Sequence, residues 1–132
     1  MSARVGGPQI SPYLYYADAD AALDWLVKAF GFRVRSAFRD PSGHIVHAEL
    51  EHGSGVVFVG PGMAFFGTHC VADRNAVHAA LYVYVDDAAV HLARARAAGA
   101  EIRAELSRKP NGDLIYVASD PEGQRWIFAQ AE

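Results

Sequence analysis

The strongest limit on how this chain folds is an internal repeat. Tyr13 and Tyr15 recur as Tyr82 and Tyr84, Asp18 as Asp87, and Pro41 and Gly43 as Pro110 and Gly112, each 69 residues later. Gly31 pairs with Gly99 at an offset of 68, and Gly53 with Gly123 at 70. Seven pairs that hold one offset within a residue, on the same kinds of element, exceed what chance draws from 12 Gly and 6 Pro. A repeat of this kind is a structural unit copied once. The 132 residues are therefore two modules, each too small to close a core alone, joined into one domain.

Each copy has the same outline. Ile10 to Ala17 alternates as a half-buried strand does. Asp18 stands at an N-cap position, and Ala22, Leu23, Trp25, Leu26, Ala29 and Phe30 follow at helical spacing, with Gly31 as the stop. Then come FRVRSAFR, the turn Asp40-Pro41-Ser42-Gly43, HIVHAELE, a turn at Gly53 to Gly55, and VVFVG. Pro at the first central position and Gly at the end match type I turn chemistry. The second copy runs HAALYVYV, Asp87, a helix through Ala98, Gly99, AEIRAELS, a turn at Lys109 to Gly112, DLIYVAS, a turn at Asp120 to Gly123, and QRWIFAQ. The fold class is α+β, βαβββ twice: one module over about 9–60, a connection over about 61–77, and a second module over about 78–130. The connection carries Met63, Phe65 and Phe66 and is long for a compact domain. It either packs on the body over an opening or is an ordinary crossover that buries two Phe rings.

Composition excludes several partners. The charge of −3, from 15 acidic and 12 basic residues without a block of either sign, offers neither a nucleic-acid footprint nor a polybasic membrane anchor. One cysteine, Cys70, makes no internal disulfide. MSARVGGPQ lacks a signal-peptide core, and no run of about 20 apolar residues occurs, so a cytoplasmic protein is expected.

The segments ISPYLYYADADAALDWLVKAFGF, HAEL at His47 to Leu50, YVYVDDAAVHLARARAAGAEI and DPEGQRWIFAQ together resemble the vicinal oxygen chelate superfamily, which holds glyoxalase I, extradiol dioxygenases and bleomycin and fosfomycin resistance proteins. They look most like its small PhnB-like and bleomycin-resistance-like members. The resemblance implies eight strands curled around a cleft with helices outside, and a homodimer. Alternation then assigns faces. Ile10, Leu14 and Tyr16 share the helix side of the first strand, while Tyr13, Tyr15, Tyr82 and Tyr84 point into the cleft. At the same offset His47 and Glu49 face the cleft opposite Tyr116 and Ala118. On the last strand Trp126 and Phe128 pack inward, leaving Arg125 and Ile127 on the cleft side.

Metal-dependent relatives hold a divalent ion from the first and fourth strands of each module. Counting from the helix-opening Asp and the turn Gly places those ligands at Ser11, Ala80, Val57 and Ile127. Three lack donor atoms and the fourth is a hydroxyl, whereas such metals need His, Cys or carboxylate. No cofactor is expected. His47 and Glu49 could share an ion only with a third ligand such as His78 or a Tyr; otherwise they form a hydrogen-bonded pair in which the carboxylate favours His⁺ and makes His47 a general acid. His44, His52, His69 and His91 fall in turns, the connection or a helix surface, and Cys70 reads as a small packed residue.

Two functions follow. The first is a metal-independent protein that sequesters an aromatic or antibiotic-like small molecule, bound by Tyr13, Tyr15, His47, Glu49, Phe65, Phe66, Tyr82, Tyr84, Tyr116 and Arg125. The second is a lyase, isomerase, dioxygenase or thiol transferase using His47 and Glu49 as acid–base or unusual metal-ligand groups.

Overall fold

Alternation and turn chemistry build ten principal elements in a computed structural model that describes residues 7–132, the side chain of Phe65 excepted. The first module runs β1 (Tyr13–Tyr15), α1 (Ala19–Phe30), β2 (Arg33–Arg39), β3 (Ile45–His52) and β4 (Gly55–Gly60). The second runs β5 (Ala80–Tyr84), α2 (Ala88–Ala97), β6 (Glu101–Arg108), β7 (Leu114–Ser119) and β8 (Arg125–Gln130). The fold is the expected α+β arrangement of tandem βαβββ modules. Each has its own four-stranded sheet, ordered β1-β4-β3-β2 and β5-β8-β7-β6. The β1–β4 and β5–β8 pairs are parallel and the others antiparallel. The boundary between the two compact units falls after Cys70, within the connection.

Both helices begin where the sequence places their caps. Asp18 accepts from the Ala21 amide at 3.0 Å and Asp87 from the Val90 amide at 3.1 Å, satisfying donors that the first helical turn leaves open. Gly31 ends α1 at φ 80°, a left-handed conformation that a side chain would strain. The three Pro-containing turns share one design. Gly43, Gly112 and Gly123 donate to the carbonyls of Asp40, Lys109 and Asp120, each at 2.9 Å.

A single helix covers one face of each sheet. In the first unit α1 packs on β3 and β4, burying Leu23, Leu26 and Phe30 against Ala48, Leu50 and Val59. In the second, α2 packs on β6, β7 and β8 over Tyr116, Trp126 and Phe128, all fully buried. Trp126 lies parallel to Phe128 at 6.2 Å, and Phe128 stacks on Tyr116 at 5.4 Å. The Trp126 indole N–H donates to the buried Asp120 at 3.1 Å, so the largest core side chain leaves no polar atom unpaired.

Three expectations change. The first strand is shorter than Ile10 to Ala17, and Ile10 is 89% exposed rather than on the helix side. Pro12 has no N–H to continue a ladder, so strand pairing starts after it, although its carbonyl still accepts from Phe58. Phe66 sits on a 3-10 turn (Ala64–Phe66) and stays about half exposed instead of packing away.

The third change is one of register. Tyr116 does not share the face of His47 and Glu49; it is fully buried, and its hydroxyl meets His91 Nδ1 of α2 at 2.5 Å. Val46 is the cause. In the β2–β3 ladder Arg39 pairs with Ile45 and Phe38 with His47, so Val46 is an extra, bulged residue. The β6–β7 hairpin runs Arg108–Leu114 and Ser107–Ile115 with no such insertion. Beyond the bulge the offset between copies is 68, making Ala48 the counterpart of Tyr116 and Glu49 that of Val117. One residue of slip exchanges the faces of a strand. Tyr116→Ala is expected to cost roughly 3–5 kcal/mol of stability, the range for emptying a large aromatic core site, read by urea denaturation. A loss below about 1 kcal/mol would place the ring outside the core.

Candidate functional site

The helix covers one face of each sheet, and the other carries the aromatic and ionisable side chains. In the first unit one cross-strand row is Tyr13, Phe58 and Glu49, and the next is Tyr15, Gly60 and His47. His47 is the centre of the group. Its Nδ1 lies 3.1 Å from the Tyr13 hydroxyl and its Nε2 3.1 Å from Glu49 Oε2. Tyr13 and Phe58 meet the imidazole edge-on at 5.4 and 4.9 Å, and Phe38 lies 6.0 Å away. Arg35 approaches the other Glu49 oxygen at 3.7 Å. Tyr13 stacks on Tyr15 with centroids 4.6 Å apart and planes within 10°. Burial, then the like charge that Tyr15 would carry, raises the Tyr13 pKa above the ordinary phenol value. Tyr13 is thus a neutral phenol at physiological pH, hydrogen-bonded to His47 Nδ1, while His47 Nε2 is hydrogen-bonded to Glu49.

Gly60 permits this arrangement. A Cβ there would stand 3.1 Å from both the Tyr13 hydroxyl and the Val46 carbonyl. Any larger residue pushes Tyr13 from His47.

The second unit builds a different group from the same tyrosine pair. Tyr82 and Tyr84 lie 5.5 Å apart at 62°, both about half exposed. Both hydroxyls donate to Asp113 Oδ2, at 2.6 and 2.9 Å, and the Asn111 amide adds a third bond at 3.2 Å. These three neutral donors hold the Asp113 carboxyl below the usual range, while both phenols are raised by the same hydrogen bonds.

The other predicted residues are placed as follows. Arg125 gives its guanidinium to the carbonyls of Gly123 at 2.6 Å and Arg74 at 2.8 Å, and Arg103 also donates to Arg74 at 2.9 Å. It therefore secures the incoming chain at the far end of the second sheet from Asp113. Phe66 lies in the connection, and the Phe65 side chain is outside the described residues. Tyr116 and His91 belong to the helix–sheet core, so His91 is not a solvated surface residue. His44 and His69 are exposed; His52 is half-buried against Phe32, and Cys70 is half-buried.

The superfamily metal positions can now be tested against the donors present. Ala80 and Ile127 lie where the count puts them, on the tyrosine face of the second sheet. In the first sheet the residue in register with Tyr13 is Phe58, not Val57, because the β3–β4 turn is shorter than the Asp120–Gln124 loop. Val57 is buried on the helix side. Ser11 contributes a buried hydroxyl that lacks a hydrogen bond. Phe, Ala and Ile have no donor atom, and one hydroxyl does not hold a divalent cation, so these residues do not fit the metal. Among the described residues no third His, Cys, Asp or Glu joins His47 and Glu49 to make a metal cluster.

Phe38, Phe58, Gly60, Asn111 and Asp113 escape a reading by repeat. Asp113 follows the Lys109-Pro110-Asn111-Gly112 turn, and its counterpart in the first copy is His44, whose carbonyl closes the equivalent turn. The acid is private to one copy.

The sequence profile of the Glyoxalase/Bleomycin resistance protein/Dioxygenase superfamily matches residues 8–128, which span both modules. The chain belongs to that superfamily. The crystal structure of TioX from Micromonospora sp. ML1 is similar to it, with 35% identity, a TM-score of 0.78, and coverage of 96% of this chain and 100% of that one. TnmS3, an antibiotic binding protein from Streptomyces sp. CB03234, shares the fold at 15% identity and a TM-score of 0.71, covering 91% of this chain and 92% of its own. A Mycobacterium bovis protein, Mb0911c, is 29% identical over 126 residues, 93% of this chain and 83% of its own length. No helix among the described residues is long and apolar enough to cross a membrane.

The Asp113 shift has a consequence for stability. Its folded pKa is depressed, so its contribution is complete above the unfolded carboxyl pKa of about 4 and is lost as pH falls through the folded value. The stability difference between the native protein and Asp113→Asn should be constant from pH 5 to 8 and shrink below pH 4, measured by urea denaturation across pH. A difference that grows on acidification would contradict the assignment.

Proposed function

We propose that this protein is a metal-independent binder of a small aromatic molecule, which stacks on the open, tyrosine-bearing sheet faces. The observation that carries this is the Tyr13–Tyr15–Phe58–His47 group, a set of rings held on one sheet face with the Tyr13 hydroxyl and both His47 nitrogens already paired. Such surfaces give large contact area at little cost in side-chain entropy. Each aromatic contact is worth on the order of 1 kcal/mol beyond burial, so several together reach micromolar affinity. Three of the superfamily's four ligand positions lack a donor atom and the fourth is the Ser11 hydroxyl, which supports binding over metal-assisted turnover. TnmS3, which shares the fold, is an antibiotic binding protein, and sequestration of an antibiotic-like compound by a cytoplasmic homodimer is the biological role in keeping with this. We take both modules as one domain, a reading in keeping with a superfamily profile that spans residues 8–128.

A second reading has one observation in its favour. The Tyr13–His47–Glu49 relay is a connected acid–base chain, and a reaction that needs only proton transfer would find its groups there. The lyase or isomerase form of this reading predicts turnover of methylglyoxal and glutathione that His47→Gln abolishes.

Thermal shift and calorimetry with planar probes (acridine, anthraquinone and flavone) test the binding function. At least one probe is expected to stabilise the protein, and Phe58→Ala or Tyr13→Ala to weaken it about tenfold or more. Stabilisation by none, or affinity untouched by both substitutions, would refute it. Gly60→Val, which displaces Tyr13 without removing a ring, should produce a similar loss.

A further inference from the structure

We infer that the Tyr82–Tyr84–Asp113 group is a subsite for a positively charged, ammonium-type group of the ligand. The inference rests on the binding function proposed above and adds a chemical class to it. It starts from the direction of the hydrogen bonds. A phenol has one proton to give, and Tyr82 and Tyr84 both give theirs to Asp113 Oδ2. Neither phenol keeps a hydroxyl proton for a ligand, and each shows part of its ring to solvent. Both residues are about half exposed, so these surfaces are open to a ligand. Donation to a carboxylate pushes electron density toward the phenol oxygen and ring, strengthening both as partners for a cation.

The charge behind them is not cancelled. Asp113 itself is only 5% exposed, and the partners that hold it ionised, Tyr82, Tyr84 and Asn111, are all neutral. Arg108 of the same hairpin gives its guanidinium to the Gly112 carbonyl at 3.0 Å. The group therefore offers two half-exposed phenol rings over a buried negative charge. A ligand carboxylate or phosphate would meet repulsion, an uncharged apolar group would gain only stacking, and an ammonium would gain stacking and charge together.

The contrast between the copies supports the inference. In the first unit the equivalent pair, Tyr13 and Tyr15, stacks flat, and Tyr13 is bonded to His47. Only the second pair is splayed at 62° over a carboxylate. The two faces differ in chemistry, aromatic in the first unit and suited to a cation in the second.

Three probes of one shape test this by calorimetry on the full chain: benzyltrimethylammonium, its uncharged isostere neopentylbenzene, and benzylsulfonate. The cation is expected to bind about two- to fivefold more tightly than the isostere, the scale of an exposed cation–π contact, and the anion more weakly than either. Asp113→Asn should bring the cation-to-isostere ratio close to one and leave isostere affinity unchanged. Equal affinities, or a preference for the anion, would overturn the subsite even if planar probes bind, whereas failure of planar probes alone would overturn the wider binding function. Should Asp113→Asn not fold, Tyr82→Phe with Tyr84→Phe keeps both rings. That pair should lower cation affinity and spare the isostere; an unchanged ratio counts against the subsite.

Discussion

A four-stranded sheet has two faces, and each module of this protein has one helix to cover them. Side chains alternate along every strand, so whatever the helix buries on one side leaves a second set standing on the other. Leu26 and Phe30 claim the Ala48–Leu50–Val59 face of the first sheet. Trp126, Phe128 and Tyr116 fill the space under α2 in the second. The tyrosines of β1 and β5 are then excluded from the core by phase, not by polarity. Their exposure follows from the packing of residues on the opposite face. Any substitution that reversed the phase of β1 or β5 would bury the tyrosine rings and expose the core.

That dependence explains what the sequence made readable. The repeat, the caps at Asp18 and Asp87 and the Pro–Gly turns are local signals, and each element they bound was found close to where they put it. The facing of Tyr13, Tyr82 and Trp126 could be read because each lies near a marker shared by both copies. Tyr116 could not. A bulge at Val46 leaves no mark in hydrophobicity, yet it turns the strand over relative to its counterpart. The same kind of slip, through a shorter turn, moved the inward position of β4 from Val57 to Phe58. Contacts between distant residues were equally hidden. Nothing local says that Gly60 makes room for Tyr13, or that Asp113 collects two phenols 29 and 31 residues away.

Duplication and divergence divide the chemistry. Both copies keep a Tyr-Xaa-Tyr strand beside the fourth strand of the module, which fixes where rings can stand. What each tyrosine bonds to comes from the third strand or the hairpin before it, and there the copies differ: His47 with Glu49 in one, Asp113 with Asn111 in the other. Positions that hold donor atoms in metal-dependent relatives carry Phe58, Ala80 and Ile127, which add apolar surface to the same faces. The superfamily scaffold has been kept, with apolar side chains at these three positions.

The six tyrosines make the decisive measurement available. Two-dimensional spectra of protein carrying ring-labelled tyrosine, recorded as a binding aromatic probe is added, report each ring separately. Tyr13, Tyr15, Tyr82 and Tyr84 stand on the open faces, while Tyr16 and Tyr116 are buried on the helix side. Ligand binding should move the signals of residues in the first group and leave Tyr16 and Tyr116 in place. Shifts confined to Tyr16 and Tyr116, with the other four unchanged, would contradict the assignment of the open sheet faces as the binding surface.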